Sequence, residues 1–121
     1  MRVLVVDDEV RNAELTALEL RDAGHEAEFV NGGAAALRRL EAGGFDAVVT
    51  DLRMAPPDGL ALLAETRERW PQLVVVLMTA YASFDTARKA LRLGAYDYVD
   101  KDGEFRAELA GILERAARER R

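Results

Sequence analysis

The chain contains no cysteine, so neither a disulfide nor thiolate chemistry enters its design. No apolar run approaches the roughly 18 residues that a membrane-crossing helix requires. The N-terminus, Met1-Arg2-Val3-Leu4, passes straight into a hydrophobic strand pattern and lacks the parts of a signal peptide. These absences point away from a membrane and make the cytoplasm the expected location. There is a single histidine, His25, in a turn ahead of an apolar run, the setting of an exposed loop residue rather than a ligand. The net charge of −5 has the wrong sign for direct nucleic-acid binding, which needs a basic face to meet phosphates. The basic C-terminal residues Arg115, Arg118, Arg120 and Arg121 alternate with Glu114 and Glu119, the pattern of a solvated helix end. Lysine is scarce as well: of 17 cationic residues, Lys89 and Lys101 alone are not arginine, which draws attention to both.

What remains is 121 residues, half of them hydrophobic and 32% charged, enough for one compact domain around one continuous core. Five short, valine-rich apolar runs, Val3–Val6, Glu26–Val30, Ala47–Thr50, Leu73–Met78 and Tyr96–Val99, read as strands. The first, third and fourth are nearly continuous, as in strands buried on both faces of a parallel sheet. Between them the pattern predicts helices over roughly 9–23, 33–42, 59–69, 84–93 and 104–119. The last carries an apolar stripe of Phe105, Leu109, Ile112, Leu113 and Ala116. Ser83 is placed to cap the fourth helix, and Gly94 to end it. The stripe on the first helix is blurred. Five strand-then-helix units imply a doubly wound α/β sandwich.

The ends of the strands carry the chemistry. Asp7, Asp8 and Glu9 follow the first run, Asp51 the third, Thr79 the fourth, and Asp100, Lys101 and Asp102 the fifth. Open α/β sheets bind ligands at this edge, near the point where strand order reverses. Taken singly, each residue has an ordinary explanation: an aspartate caps a turn, a threonine suits a strand, a lysine is solvated. Their placement at the ends of four strands is what suggests a site. Carboxylates brought together repel unless neutralised, and an all-oxygen set without cysteine favours Mg²⁺ over zinc. A carboxylate beside that ion can act as a nucleophile and form an acyl phosphate. Lys101 offers a point charge and Thr79 a hydroxyl to the phosphoryl oxygens.

Along its whole length the chain resembles the receiver domain of two-component response regulators, of the nitrogen-regulator-like class. The resemblance is carried by Val3-Leu4-Val5-Val6-Asp7-Asp8-Glu9, Asp51-Leu52-Arg53-Met54, Asp58-Gly59-Leu60, Met78-Thr79-Ala80 and Gly94-Ala95-Tyr96-Asp97-Tyr98-Val99-Asp100-Lys101. It implies a flavodoxin-like fold of five parallel strands in order 2-1-3-4-5 with five flanking helices. It implies that Asp7, Asp8, Asp51 and the backbone carbonyl of Arg53 hold Mg²⁺, and that Asp51 accepts the phosphoryl group. Thr79 and Lys101 are then the phosphate-contacting pair, and Tyr98 the switch aromatic that turns inward behind Thr79. The alternative for Tyr98 is a half-buried strand aromatic without a switching role. Arg53 and Tyr81 fall where the family tunes hydrolysis. The implied partners are a sensor histidine kinase or phosphotransfer protein, a downstream effector domain or protein, and a second copy through helix four, strand five and helix five.

Two departures from the family pattern stand out. Asp102 replaces the proline that usually follows the lysine through a cis bond, so the peptide is either trans with a shifted loop or held cis at a cost. The loop after Asp51 reads Met54-Ala55-Pro56-Pro57-Asp58-Gly59, with its proline displaced and a glycine lost. Two other functions fit parts of the pattern. A phosphatase with an aspartate nucleophile would carry a general-acid aspartate where Arg53 stands. A docking module without phosphorylation would not need Asp7, Asp8, Asp51, Thr79 and Lys101 together.

Overall fold

The computed structural model describes residues 1–80 and 83–120. Strands β1 (Arg2–Val6), β2 (Glu26–Val30), β3 (Ala47–Asp51), β4 (Val74–Thr79) and β5 (Asp97–Asp100) alternate with helices α1 (Val10–Asp22), α2 (Gly33–Glu41), α3 (Gly59–Arg69), α4 (Phe84–Arg92) and α5 (Phe105–Glu119). The strands form one parallel sheet in order β2-β1-β3-β4-β5. Element limits follow the hydrophobic pattern closely. The main shift is that Asp51, Thr79 and Asp100 close their strands rather than follow them.

Each strand alternates between two cores. Val3, Val5, Ala47, Val49, Val76, Met78 and Val99 pack with Ala13, Ala17 and Leu20 of α1 and with Phe105, Leu109, Ile112 and Leu113 of α5. Leu4, Val6, Val48, Val75 and Leu77 face the other way, against Ala36 and Leu40 of α2, Leu62 and Leu63 of α3, and Ala90 of α4. With both faces covered, the strands carry apolar residues at nearly every position. Truncating one of these buried leucines to alanine costs about 2–5 kcal/mol.

The blurred stripe of α1 has a steric reason. Its inward residues are the small or polar Ala13, Thr16 and Ala17 together with Leu20, whereas Val10, Leu15 and Leu18 are exposed. Small residues let α1 approach closely, and Arg106 of α5 donates to the Thr16 hydroxyl at 3.0 Å. Ser83 caps α4 by accepting from the Thr86 amide at 3.1 Å, and Asp58 caps α3 by accepting from the Ala61 amide at 2.9 Å. Gly94 ends α4 with φ +102°, a conformation open to glycine without strain. Helix α4 is the least anchored of the five, with Ala90 as its one buried residue.

Candidate functional site

Strand order reverses between β1 and β3, which diverge toward β2 and β4 respectively, and the candidate residues gather at the C-terminal ends of these strands. Val6 pairs with Thr50 across β1 and β3, so Asp7 leaves its strand beside Asp51. Oxygens of Asp7, Asp8 and Asp51 lie within 4.8 Å of one another. Asp7 is buried, with 1% of its side chain exposed, and its Oδ1 accepts from the Glu9 amide at 3.0 Å. Asp8 is exposed and Asp51 partly buried. Among the described residues this is the one acidic group close enough to share a cation. Asp100 and Asp102 are exposed and outside it, and Glu9 instead accepts from Asn12.

Lys101 reaches into this group. Its Nζ lies 2.7 Å from Asp7 Oδ2 and 3.3 Å from Asp51 Oδ2, with 12% of its side chain exposed. The missing proline therefore leaves its aim intact. The Lys101–Asp102 peptide is trans, since Pro56–Pro57 is the cis bond among the described residues. The Lys101 amide is held by the Thr79 carbonyl at 2.8 Å, and the Asp102 amide by the Asp100 carbonyl at 2.8 Å. One ammonium cannot neutralise three carboxylates. Burial pushes the Asp51 carboxyl above its usual range; Lys101 opposes this, and Asp7 and Asp8 add to it. An all-oxygen group with surplus negative charge and an exposed member suits a hard divalent cation that keeps part of its water shell.

The sheet separates the remaining candidates by face. Asp51 continues the alternation of Ala47 and Val49 toward α1 and α5, as Asp7 continues that of Val3 and Val5. Thr79 continues that of Val75 and Leu77 toward the opposite core, which Tyr98 also joins. Leu77 pairs with Tyr98 and Thr79 with Asp100, so Thr79 and Tyr98 lie on one face of adjoining strands. Thr79 is fully buried. The Tyr98 hydroxyl is also buried and forms no hydrogen bond of ordinary geometry among the described residues. Burial raises its pKa, the Ser83 backbone and Arg53 act against the rise, and Asp100 adds to it. Tyr98 thus packs, partly buried, against the core on the face that it shares with Thr79.

Arg53 is exposed in the loop beyond Asp51. Tyr81, its expected companion, lies outside the described residues. His25 is partly buried rather than exposed. Its Nδ1 lies 3.3 Å from the Met1 amino group, and its burial follows from the approach of α5. The sequence pattern includes Gly59 in the Asp58-Gly59-Leu60 match but assigns no role to it or to Gly33, and the structure packs both closely around the loop that follows Asp51. Beyond that match, the sequence signal is a glycine opening each of two helices, where other residues are better helix formers.

The family model for the response regulator receiver domain matches residues 3–113, and the chain belongs to this family. Transcriptional regulatory protein ZraR of Escherichia coli (strain K12) is 40% identical over 114 residues, which cover 94% of this chain and 26% of ZraR. The chain thus spans about a quarter of that relative's length. The receiver domain of NtrX from Brucella abortus is 36% identical with a TM-score of 0.86, covering 94% of this chain and 96% of that one. Response regulator protein TrrA from Thermotoga maritima, solved in complex with Mg(2+)-BeF, is 30% identical with a TM-score of 0.79, covering 92% and 97%. ZraR and NtrX are regulators of the nitrogen-regulator class, in keeping with the motif resemblance. Receiver domains are signalling switches of two-component systems, and Mg²⁺ at the acidic pocket and aspartate phosphorylation are general to the family.

Proposed function

We propose that Asp51 accepts a phosphoryl group from a partner histidine kinase or phosphotransfer protein, with Mg²⁺, and that the resulting charge switches an output surface. The observation that carries this reading is the placement of the Asp51 carboxylate between two further carboxylates and the Lys101 ammonium at the sheet's switch point. Asp7, Asp8, Asp51 and the Arg53 carbonyl would hold the ion. When bound, Mg²⁺ supplies positive charge to the phosphoryl oxygens and to the carboxylates around them. The remaining steps belong to the chain. An Asp51 oxygen attacks the phosphorus of the phosphohistidine, the P–N bond breaks, the imidazole leaves, and an acyl phosphate forms. Lys101, already 3.3 Å from Asp51, pairs with one phosphoryl oxygen, and the Thr79 hydroxyl donates to another. Such transfer depends mainly on positioning and charge neutralisation.

Phosphorylation adds about −1.5 to −2 of charge and new acceptor oxygens. Thr79 is drawn toward them, away from the face that it shares with Tyr98. Tyr98, which shares that face, then turns inward into the space that Thr79 leaves. The output surface is then α4, β5 and α5. Helix α4 suits that role because it is lightly anchored and presents Phe84 and Leu91, 78% and 51% exposed. An effector domain, another protein or a second copy of the chain would read this surface. By their sequence positions, two residues after the phosphoacceptor and two after Thr79, Arg53 and Tyr81 correspond to the family's hydrolysis-tuning pair, and slow hydrolysis is the expected result. The domain, taken as residues 1–121, promotes only its own phosphorylation and dephosphorylation. Turnover of an external phosphomonoester is disfavoured because Arg53 stands where a phosphatase would place its acid. No helix among the described residues is long and apolar enough to cross a membrane. The domain works in the cytoplasm without touching nucleic acid itself.

The test is incubation with acetyl phosphate, or with beryllofluoride, in the presence of Mg²⁺. A phosphoryl mass shift that is alkali-labile and absent from Asp51→Asn is expected. An unmodified wild-type protein would sink the reading.

A further inference from the structure

Two glycines touch the loop that follows Asp51, and in both cases space rather than dihedral freedom is at issue. Gly59 opens α3 directly behind its Asp58 cap, and its amide donates to the Leu52 carbonyl at 2.9 Å. A Cβ at this position would lie 2.7 Å from Leu52 Cα and 3.1 Å from the Asp51 carbonyl carbon, and closer still to the Asp51 carbonyl oxygen. All three atoms belong to the backbone at and just after the phosphoacceptor, so none can swing aside. Gly33 opens α2 from the other side of the loop. There a Cβ would lie 2.5 Å from the Pro57 carbonyl oxygen and 2.6 Å from Pro57 Cγ. Its neighbour Gly32 is different, with nothing within 4 Å of its Cβ position and an extended backbone at φ 167°.

We infer that Gly59 is a positioning residue for phosphoryl transfer at Asp51, with Gly33 as its counterpart across the loop. The two glycines let the first turns of α3 and α2 close on residues 51–52 and 57. Arg53, whose carbonyl is assigned to the ion, lies between those pinned points. Helix propensity does not account for the glycines, because alanine is the better residue in a helix. A Cβ at residue 59 forces the Asp51–Leu52 backbone to shift or α3 to withdraw. Either movement displaces the acceptor carboxylate, and a displacement of about 1 Å costs on the order of 10²-fold in rate. The inference rests on the reading of Asp51 as phosphoacceptor.

The experiment compares wild type with Gly59→Ala, Gly33→Ala and Gly32→Ala, at a temperature where circular dichroism shows each folded. Mg²⁺ affinity is titrated, and the maximal rate of labelling by acetyl phosphate is separated from the half-saturating concentration. The maximal rate should fall by about 100-fold in Gly59→Ala and about tenfold in Gly33→Ala, with weaker Mg²⁺ binding, while Gly32→Ala stays at the wild-type rate. A merely structural role would lower the melting temperature but leave the maximal rate of the folded protein unchanged. Wild type that is not labelled overturns both the reading of Asp51 and the inference. Labelled wild type beside a folded Gly59→Ala of equal rate and Mg²⁺ affinity overturns the positioning role alone. If Gly59→Ala does not fold, Gly33→Ala against Gly32→Ala decides, and equal rates there overturn the inference.

Discussion

The two edges of the sheet treat charge in opposite ways. At the N-terminal edge and the flank beside it, four arginines meet four carboxylates: Arg2 and Arg39 with Glu28, Arg69 with Glu41 and Glu65, and Arg120 with Asp46. Aromatic rings extend the pairing, with Arg2 stacked 4.4 Å from the centre of Phe45 and Arg69 4.4 Å from that of Trp70. At the C-terminal edge three carboxylates meet one lysine. The first edge is balanced within the chain. The second gathers more carboxylates than the Lys101 ammonium offsets, a setting suited to a hard divalent cation. Carrying an unbalanced, partly buried cluster costs stability that the balanced edge does not cost.

The largest expected effect comes from removing the buried member of the acidic group. Asp7→Asn removes a carboxylate that also receives Lys101 at 2.7 Å, and Mg²⁺ affinity should fall at least about 10–100-fold, the loss typical of residues that merely support metal ligands. Titration by calorimetry reads this directly, and wild-type affinity would break the assignment of the cation to this edge. Next in size is Asp51→Asn in buffer with EDTA. Burial raises the folded-state pKa of Asp51, so its favourable contribution is complete at acid pH and lost as pH rises through that pKa. Above that pKa the ionised group is therefore a liability, and there the variant should melt above wild type without Mg²⁺, with the gain shrinking on acidification.

The balanced edge should respond less. Glu28→Gln breaks two ion pairs whose members are 34–40% exposed, and should cost less than about 1 kcal/mol while leaving phosphorylation unchanged. A loss of labelling in this variant would end the separation between the edges. The smallest effect is expected at His25. Burial, then the neighbouring N-terminal ammonium, lowers its pKa, whereas the Ala110 backbone and Glu114 oppose the change. Its contribution is present above the unfolded pKa and lost as pH falls through the folded one. Chemical denaturation should show wild type losing slightly more stability than His25→Gln between pH 7.5 and about pH 5.5.

Much of this was legible from residue order. Valine-rich runs bounded by glycines and capped helices follow local rules, so the elements of the structure lie close to the ranges predicted from pattern. Asp7, Asp51, Thr79 and Lys101 were legible because each stands at the end of an apolar run, where a parallel sheet gathers residues at one edge. The facing of α1 was not legible, since alanines and a threonine enter the core there while Leu15 and Leu18 remain outside. That choice depends on how closely α1 can approach α5, a distance that no single helix encodes.

Alternating apolar runs and amphipathic stretches determined by themselves the five βα units, and the strand-end residues determined which chemistry could collect at one edge. Only the tertiary structure decided that Lys101 reaches both Asp7 and Asp51 through a trans peptide, that the Tyr98 hydroxyl is buried, and that Gly59 and Gly33 close on the loop between them. The reason is physical. Periodicity and capping act over a few residues, whereas charge pairing, ring orientation and backbone clearance depend on atoms far apart in the chain that meet only after the sheet has formed.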